Sequence, residues 1–329
     1  MGGKATEKYG TTRMSKEEYK AFCRELLELA ESYNLHPSIP AELPGKDSFG
    51  DVDLVFTYDE MDRPAYREFR DIVSKDGYTP NGHVRSCAYK GHQVDLIGCR
   101  ADRKDAHMFY LSYGMVGMVM GVIARQIGFK FGMDGLYLRG KDKFDDIFLT
   151  ASPEVYATFF GFNLSRWQKG FETVEEVYEF LASQRFSGSL YQLQVQGNAK
   201  HRKREHQSRS YNAFFDWYYG RNHIEDTPVY HTYDSMLLLR KFLPWISEAV
   251  TVQIKESLYR NYVAEIEARR YDFENFSEIY SKTHPTADKP EIGKNYGKFK
   301  AECFGTEHPR KEYFTHEIIQ KTEEFSREV

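Results

Sequence analysis

Residues 43–56 read LPGKDSFGDVDLVF, and the end of that stretch sets Asp51 and Asp53 one residue apart among Val52, Leu54, Val55 and Phe56. In a strand, residues i and i+2 project from the same face, so the two carboxylates stand together while Val52 and Leu54 enter a core. Like charges that close repel and raise one pKa unless a cation lies between them. A divalent metal is the usual remedy, although Asp-x-Asp also occurs on solvated strand edges. Just upstream, Gly45, Lys46, Ser48, Phe49 and Gly50 form a short turn. Glycine there allows the close backbone approach that a phosphate needs, and these five residues are candidate phosphate-binding positions. A turn this small can also be only a turn.

Two metal ions would call for a third acidic group on a neighbouring strand, and HQVDLIGC supplies Asp95 between Val94, Leu96 and Ile97. The stretch GHVRSCAYKGHQVDLI reads as two strands joined by a turn at Lys90-Gly91. Three carboxylates on adjacent strands can hold two divalent ions about 4 Å apart, one activating an attacking hydroxyl and one stabilising a leaving pyrophosphate. Hard oxygen ligands suit Mg²⁺, with Mn²⁺ as the substitute. The plainer alternative is that Asp95 simply ends a strand. His83, His92 and His107 lie near the aspartates in sequence but lack H-x₃-H spacing, so surface or packing roles are expected for them. Nothing in the sequence offers a convincing covalent nucleophile.

Around this core the punctuation is clear. Ser15 with Glu18 is a capping box, and Tyr19, Phe22, Leu26 and Leu29 follow on one helical face, which predicts a helix over 15–33. Extended segments are expected at 38–43, 51–57, 83–89 and 92–98, with a helix at 64–74. A helix-like run over 114–128 precedes FKFGMDGLYLRG, where Asp134-Gly135 between alternating apolar residues signals a tight hairpin. Ser152-Pro153 opens another helix, Thr173 with Glu176 a further one, and amphipathic aromatic-rich stretches such as 236–242 and 250–268 dominate thereafter. The fold class that results is α+β, a small mixed sheet followed by a mainly helical C-terminal domain.

Composition sets the bounds. The 329 residues, 41% hydrophobic and 16% aromatic, suffice for a sizeable core and two or three domains. A formal charge of −4 means that any nucleic-acid contact must come from a local basic patch. Cys23, Cys87, Cys99 and Cys303 lack CxxC spacing, which fits a reducing compartment. No run reaches the ~20 apolar residues of a membrane span and none resembles a signal peptide, so a cytoplasmic location is expected. The polar start, residues 1–14, reads as a flexible lead-in.

On Gly45, Ser48, Asp51, Asp53 and Asp95 the chain resembles the nucleotidyltransferase superfamily, whose members include DNA polymerase beta, poly(A) polymerases, CCA-adding enzymes and aminoglycoside nucleotidyltransferases. Beyond them it looks most like the thumb of family X polymerases: Phe109, Tyr110 and Ser112, then 124–128, FKFGMDGLYL and SPEVYATFFGF. The resemblance spans roughly residues 38–160. It implies a nucleotidyltransferase palm with its N-terminal helix over 15–105 and a thumb-like segment over 106–165; the amphipathic stretches beyond are read as a helical C-terminal domain over 166–329, a candidate for acceptor binding. The resemblance also implies that Phe109 and Tyr110 lie against the incoming sugar. The departures are a short turn with lysine after Gly45, no helix-hairpin-helix signature and too little chain before the turn for a lyase domain. These count against templated DNA repair.

The segment AKHRKREHQSRSYNAFFDWYYGRN carries Lys200, Arg202, Lys203, Arg204 and Arg209 before a cluster of aromatics. Cations neutralise phosphates and aromatic faces stack bases, the pairing that an RNA, tRNA or single-stranded DNA acceptor needs. Phe214, Trp217 and Tyr218 also fit helical spacing, as a core stripe would. The expected function is transfer of a nucleoside monophosphate from an NTP or dNTP to a hydroxyl, first of all a nucleic-acid 3′ end. The alternatives are a protein, small-molecule or second-nucleotide acceptor, and a non-catalytic nucleotide- or RNA-binding protein.

Overall fold

The computed structural model describes residues 4–82, 84–140, 145–190, 208–220, 235–304, 322–325 and 327. The chain divides into two compact units, Met1–Thr251 and Val252–Val329.

The first unit opens on a 3₁₀ turn, Glu7–Tyr9, then β1 (Met14–Ser15) and α1 (Lys16–Ser32), which starts on the Ser15/Glu18 capping box. β2 (Ser48–Phe49) pairs antiparallel with β1. Next come β3 (Asp51–Thr57), α2 (Tyr58–Met61), α3 (Pro64–Val73), β4 (Tyr78–Asn81), β5 (Val84–Tyr89) and β6 (His92–Cys99). The sheet order is β3-β6-β5-β4, with β3 parallel to β6 and the other pairs antiparallel. Lys90 and Gly91 both take positive φ, 49° and 79°. That is the geometry a two-residue hairpin needs to match strand twist.

Pleating then sorts the side chains. Val52, Leu54, Phe56, Val94 and Leu96 are buried with Tyr19, Phe22 and Leu26 of α1 and Tyr66, Phe69 and Val73 of α3. Phe56 alone meets the rings of Tyr66 at 5.2 Å and Phe69 at 5.7 Å. On the opposite face, Val55, Ile97 and Cys99 pack beneath Met108 and Leu111 of α4 (Lys104–Leu111). The aspartates lie on this second face.

A sharp turn leads to α5 (Val116–Gln126), followed by the meander β7 (Phe129–Gly132), β8 (Gly135–Leu138) and β9 (Ile147–Thr150). Then follow α6 (Pro153–Phe160), α7 (Leu164–Lys169), α8 (Val174–Ala182), α9 (Arg209–Tyr219), α10 (Ser235–Phe242) and α11 (Pro244–Thr283), which ends in the second unit. Ser152 and Thr173 cap α6 and α8 as their sequences predict. In the second unit, α12 (Lys289–Phe304) contributes Ile292 and Phe299 to a small core with Phe276, Tyr280 and Phe325. There the Asn295 amide donates to the Tyr280 hydroxyl at 2.6 Å.

The described architecture is mixed α+β, and no single helix among the described residues is long and apolar enough to cross a membrane. Three expectations need correction. Residues 4–14 of the expected lead-in are ordered and packed: Thr6 is fully buried and Met14 joins the core. The strand expected at 38–43 shrinks to a single bridge between Ser38 and Val55, because Pro37 and Pro40 flank it and cannot donate to a ladder. The boundary expected after residue 165 is absent. Aromatic packing runs through that point: Phe109 stacks on Trp167 at 4.0 Å, Phe159 meets Phe186 at 5.2 Å, and Phe186 meets Phe242 at 5.7 Å.

Candidate metal centre

Parallel pairing of β3 with β6 sets Asp53 directly beside Asp95 and Asp51 beside Gln93. Antiparallel pairing sets Ser86 of β5 opposite Asp95 from the other side. Asp51, Asp53 and Asp95 each offer a carboxylate oxygen, and the three atoms lie within 4.8 Å of one another. All three residues are half-buried. The three positions picked from two separate stretches of sequence therefore form one cluster.

Its electrostatics are strained in a consistent direction. Burial, then the Asp51 carboxylate, pushes Asp95 up to about 6, against hydrogen bonds from Ser86 and Gln93 that favour the charged form. Asp53 is held well above the ordinary carboxylate range by burial first, then by Asp51, Asp95 and Glu42, with Lys46 opposing them. Desolvation and like charge act together here. Among the described residues this is the group of carboxylate, histidine or cysteine donors able to hold a metal ion, and all three donors are carboxylates. His107 is buried with Nδ1 3.2 Å from the Arg103 carbonyl, and His92 Nδ1 lies 3.1 Å from the Thr12 carbonyl.

The turn before β3 divides by role. Gly45 takes φ +71°, and a Cβ built there would meet nothing within 4 Å, so its backbone stands open. The Ser48 side chain is exposed, its hydroxyl accepting from Arg13 Nε at 2.8 Å. Gly50 is buried at the strand entrance. Phe49 is 3% exposed and stacked on Tyr19 at 4.0 Å, which makes it the turn's anchor rather than a ligand contact. Lys46 pairs with Glu42 at 2.5 Å and lies over the Phe49 ring at 4.6 Å. Glu42, whose other oxygen accepts from the Tyr19 hydroxyl at 2.9 Å, escaped the sequence reading. Only its spacing of four from Lys46 hinted at it.

The thumb-like candidates are placed less favourably. Phe109 is 1% exposed, enclosed by Phe131, Tyr156, Phe162 and Trp167, so no face of its ring is left for a sugar. This corrects its expected role. Tyr110 is half-buried and tilted against Phe131 at 5.9 Å. Ser112 is buried and accepts from the Ala41 N–H at 3.0 Å, while the Tyr113 N–H donates to the Ala41 carbonyl at 2.6 Å. Ser112 thereby ties the segment before the phosphate turn to the end of α4.

Of the basic candidates, Lys200, Arg202, Lys203 and Arg204 lie outside the described residues. Arg209 is exposed at the start of α9. The aromatics behind it are core: Tyr211, Phe214, Phe215 and Tyr218 are buried, and the Tyr218 hydroxyl donates to the Ser187 carbonyl at 2.8 Å. No protein-family model matches the chain, and no curated protein matches it either.

Proposed function

We propose that the chain is a metal-dependent nucleotidyltransferase, built on a palm of that superfamily's type, which moves a nucleoside monophosphate from an NTP or dNTP to a hydroxyl. The carrying observation is the clustering of Asp51, Asp53 and Asp95 on adjacent strands with their oxygens within 4.8 Å. The donor set fits a hard divalent cation: three partly buried carboxylates repel one another, and positive charge among them offsets that repulsion. Asp51 and Asp53 would hold two ions, Mg²⁺ or Mn²⁺, with Asp95 completing the site on the attacking side. The bound cations supply charge stabilisation of phosphoryl oxygens and acidify the attacking hydroxyl.

The remaining work falls to the chain. Asp95, on the attacking side of the cluster, would orient the hydroxyl and accept its proton. The open backbone at Gly45 and the Ser48 hydroxyl meet the triphosphate. The cations at 200–209 neutralise acceptor phosphates, which favours a nucleic-acid 3′ end as the acceptor. Incubation of the purified protein with each labelled NTP or dNTP, Mg²⁺ or Mn²⁺, and a panel of RNA, tRNA, single-stranded DNA and no acceptor tests the reading. Label should pass to a nucleic acid with the wild-type chain and not with Asp53→Asn. Label on the protein, or in a free dinucleotide, would move the acceptor away from nucleic acid. No transfer under any condition would overturn the proposal.

A further inference from the structure

The carboxylates are also reached from the start of the chain. Gln93 lies two residues before Asp95 on β6, is 2% exposed and stands opposite Asp51 in the parallel register. Its Nε2 donates to Asp95 Oδ1 at 2.9 Å. Its Oε1 accepts twice from Thr6, from the backbone N–H at 3.3 Å and from the hydroxyl at 3.0 Å. A backbone N–H can only donate, so it fixes which end of the amide is oxygen and leaves the donor end facing Asp95. Thr6 has no exposed surface, and its hydroxyl also lies 2.9 Å from that of Thr11.

The segment that carries Thr6 is fastened along its length. The Ala5 carbonyl accepts from the Thr79 hydroxyl at 3.0 Å, the Tyr9 hydroxyl donates to the Tyr78 carbonyl at 2.8 Å, and the Thr12 N–H donates to the Gly91 carbonyl at 2.8 Å. The Tyr9 ring lies so close over Gly77 that a Cβ there would sit 2.5 Å from it. At its far end, Arg13 donates through Nε to the Ser48 hydroxyl at 2.8 Å and through a terminal nitrogen to the Ser48 carbonyl at 2.7 Å. With its oxygen engaged in this way, the Ser48 hydroxyl has its own proton to offer to an anion.

We propose that residues 4–13 are a strap that positions both halves of the site: Thr6 acts through Gln93 on the Asp95 carboxylate, and Arg13 acts on Ser48 of the phosphate turn. Thr6, Gln93 and Arg13 are positioning residues, and the inference rests on the metal-dependent reading above. A carboxylate held by a donor on one oxygen keeps its other oxygen aimed at the cluster. Partners of this kind commonly change metal affinity or activity by ~10–100-fold when removed. Two contacts from one short segment also couple the metal side of the site to the triphosphate side.

The test is Mn²⁺ affinity, read from the electron-spin resonance of the free ion, alongside the urea midpoint and the KM and kcat for nucleotide. Gln93→Met keeps length and removes the amide, and should weaken Mn²⁺ binding by ~10–100-fold in protein that is still folded, with a urea midpoint lowered by the orphaned Thr6 N–H. Thr6→Val should shift Mn²⁺ affinity in the same direction, and Thr6→Ser, which retains the hydroxyl, should restore it. Arg13→Met should leave Mn²⁺ affinity unchanged and raise the KM for nucleotide by roughly 5–10-fold, through a Ser48 hydroxyl no longer held for its hydrogen bond to the triphosphate. Wild-type Mn²⁺ affinity in both Gln93→Met and Thr6→Val would overturn the strap. So would losses that follow the urea midpoint in every variant, Thr6→Ser included. A wild-type chain that takes up no Mn²⁺ would sink the metal-dependent reading and the strap with it, whereas wild-type uptake with unaffected variants would sink the strap alone.

Discussion

The two faces of β3 and β6 are made of alternate residues of the same strands, yet they do opposite things to the fold. On one, Val52, Leu54, Phe56, Val94 and Leu96 are fully or almost fully buried against α1 and α3. Each contributes about 1.5–3 kcal/mol by leaving water. On the other, Asp51, Asp53 and Asp95 are crowded together at a cost, visible in the raised pKa values of Asp53 and Asp95. The apolar face supplies the stability that lets the charged face exist. Strain of this sort concentrates where a ligand is to be met.

Substitution on each face separates the two. The largest effect belongs to Asp53→Asn, which removes a charge at nearly constant volume and should lower transfer by ~10³-fold or more, since groups that act as a unit are lost as a unit. The same variant, in the presence of chelator at pH 7.5, should have a higher urea midpoint than wild type, because it relieves repulsion. A lower midpoint would mean that the carboxylates are not in conflict. Leu54→Ala on the other face should instead lower the midpoint, costing ~2–5 kcal/mol of stability. Its Mn²⁺ affinity should stay at the wild-type value under conditions where it is folded, and a matching loss of affinity would show that the faces are not separable.

The pH dependence of the chelated protein carries the next effect. The folded chain holds protons on Asp53 and Asp95 more tightly than the unfolded chain does, so stability is greatest at low pH within the window and falls as pH rises from about 4 through about 6. For Asp95, the difference between its ordinary 3.8 and about 6 corresponds to ~3 kcal/mol. Urea midpoints between pH 4 and 8 should show the fall, and a shallower fall in Asp95→Asn would assign that residue's share. The smallest effect is Ser48→Ala, expected to weaken triphosphate binding by ~1–2 kcal/mol without touching the midpoint. Unchanged nucleotide affinity would place the phosphates elsewhere.

What could be read from sequence was what local pattern encodes. The alternation in DVDLVF and HQVDLIG fixed two strands and the face that each aspartate occupies, and their parallel register then made the cluster. Capping signals at Ser15, Ser152 and Thr173 placed three helix starts. Partners distant in sequence were illegible. Thr6 and Gln93 are 87 residues apart, and no pattern near Thr6 reveals that it is buried against a β-strand. Phe109 and Tyr110 are adjacent aromatics on one helix, and only the positions of Trp167 and Phe162 decide that Phe109 turns inward. Glu42 meets the Tyr19 hydroxyl because α1 packs beside the turn, a contact across 23 residues of sequence that no local pattern signals.

The central claim, that the charged face is a divalent-metal site, is tested most directly by the urea midpoint of the wild-type protein at pH 7.5 with chelator and with saturating Mg²⁺ or Mn²⁺. An ion bound only by the folded chain at a hundredfold its dissociation constant adds ~2.7 kcal/mol. The account predicts a stabilisation of that order in wild type, a smaller one at pH 5 where protons compete for the carboxylates, and none in Asp53→Asn. Equal midpoints with and without the ions in the wild-type protein at pH 7.5 would contradict it.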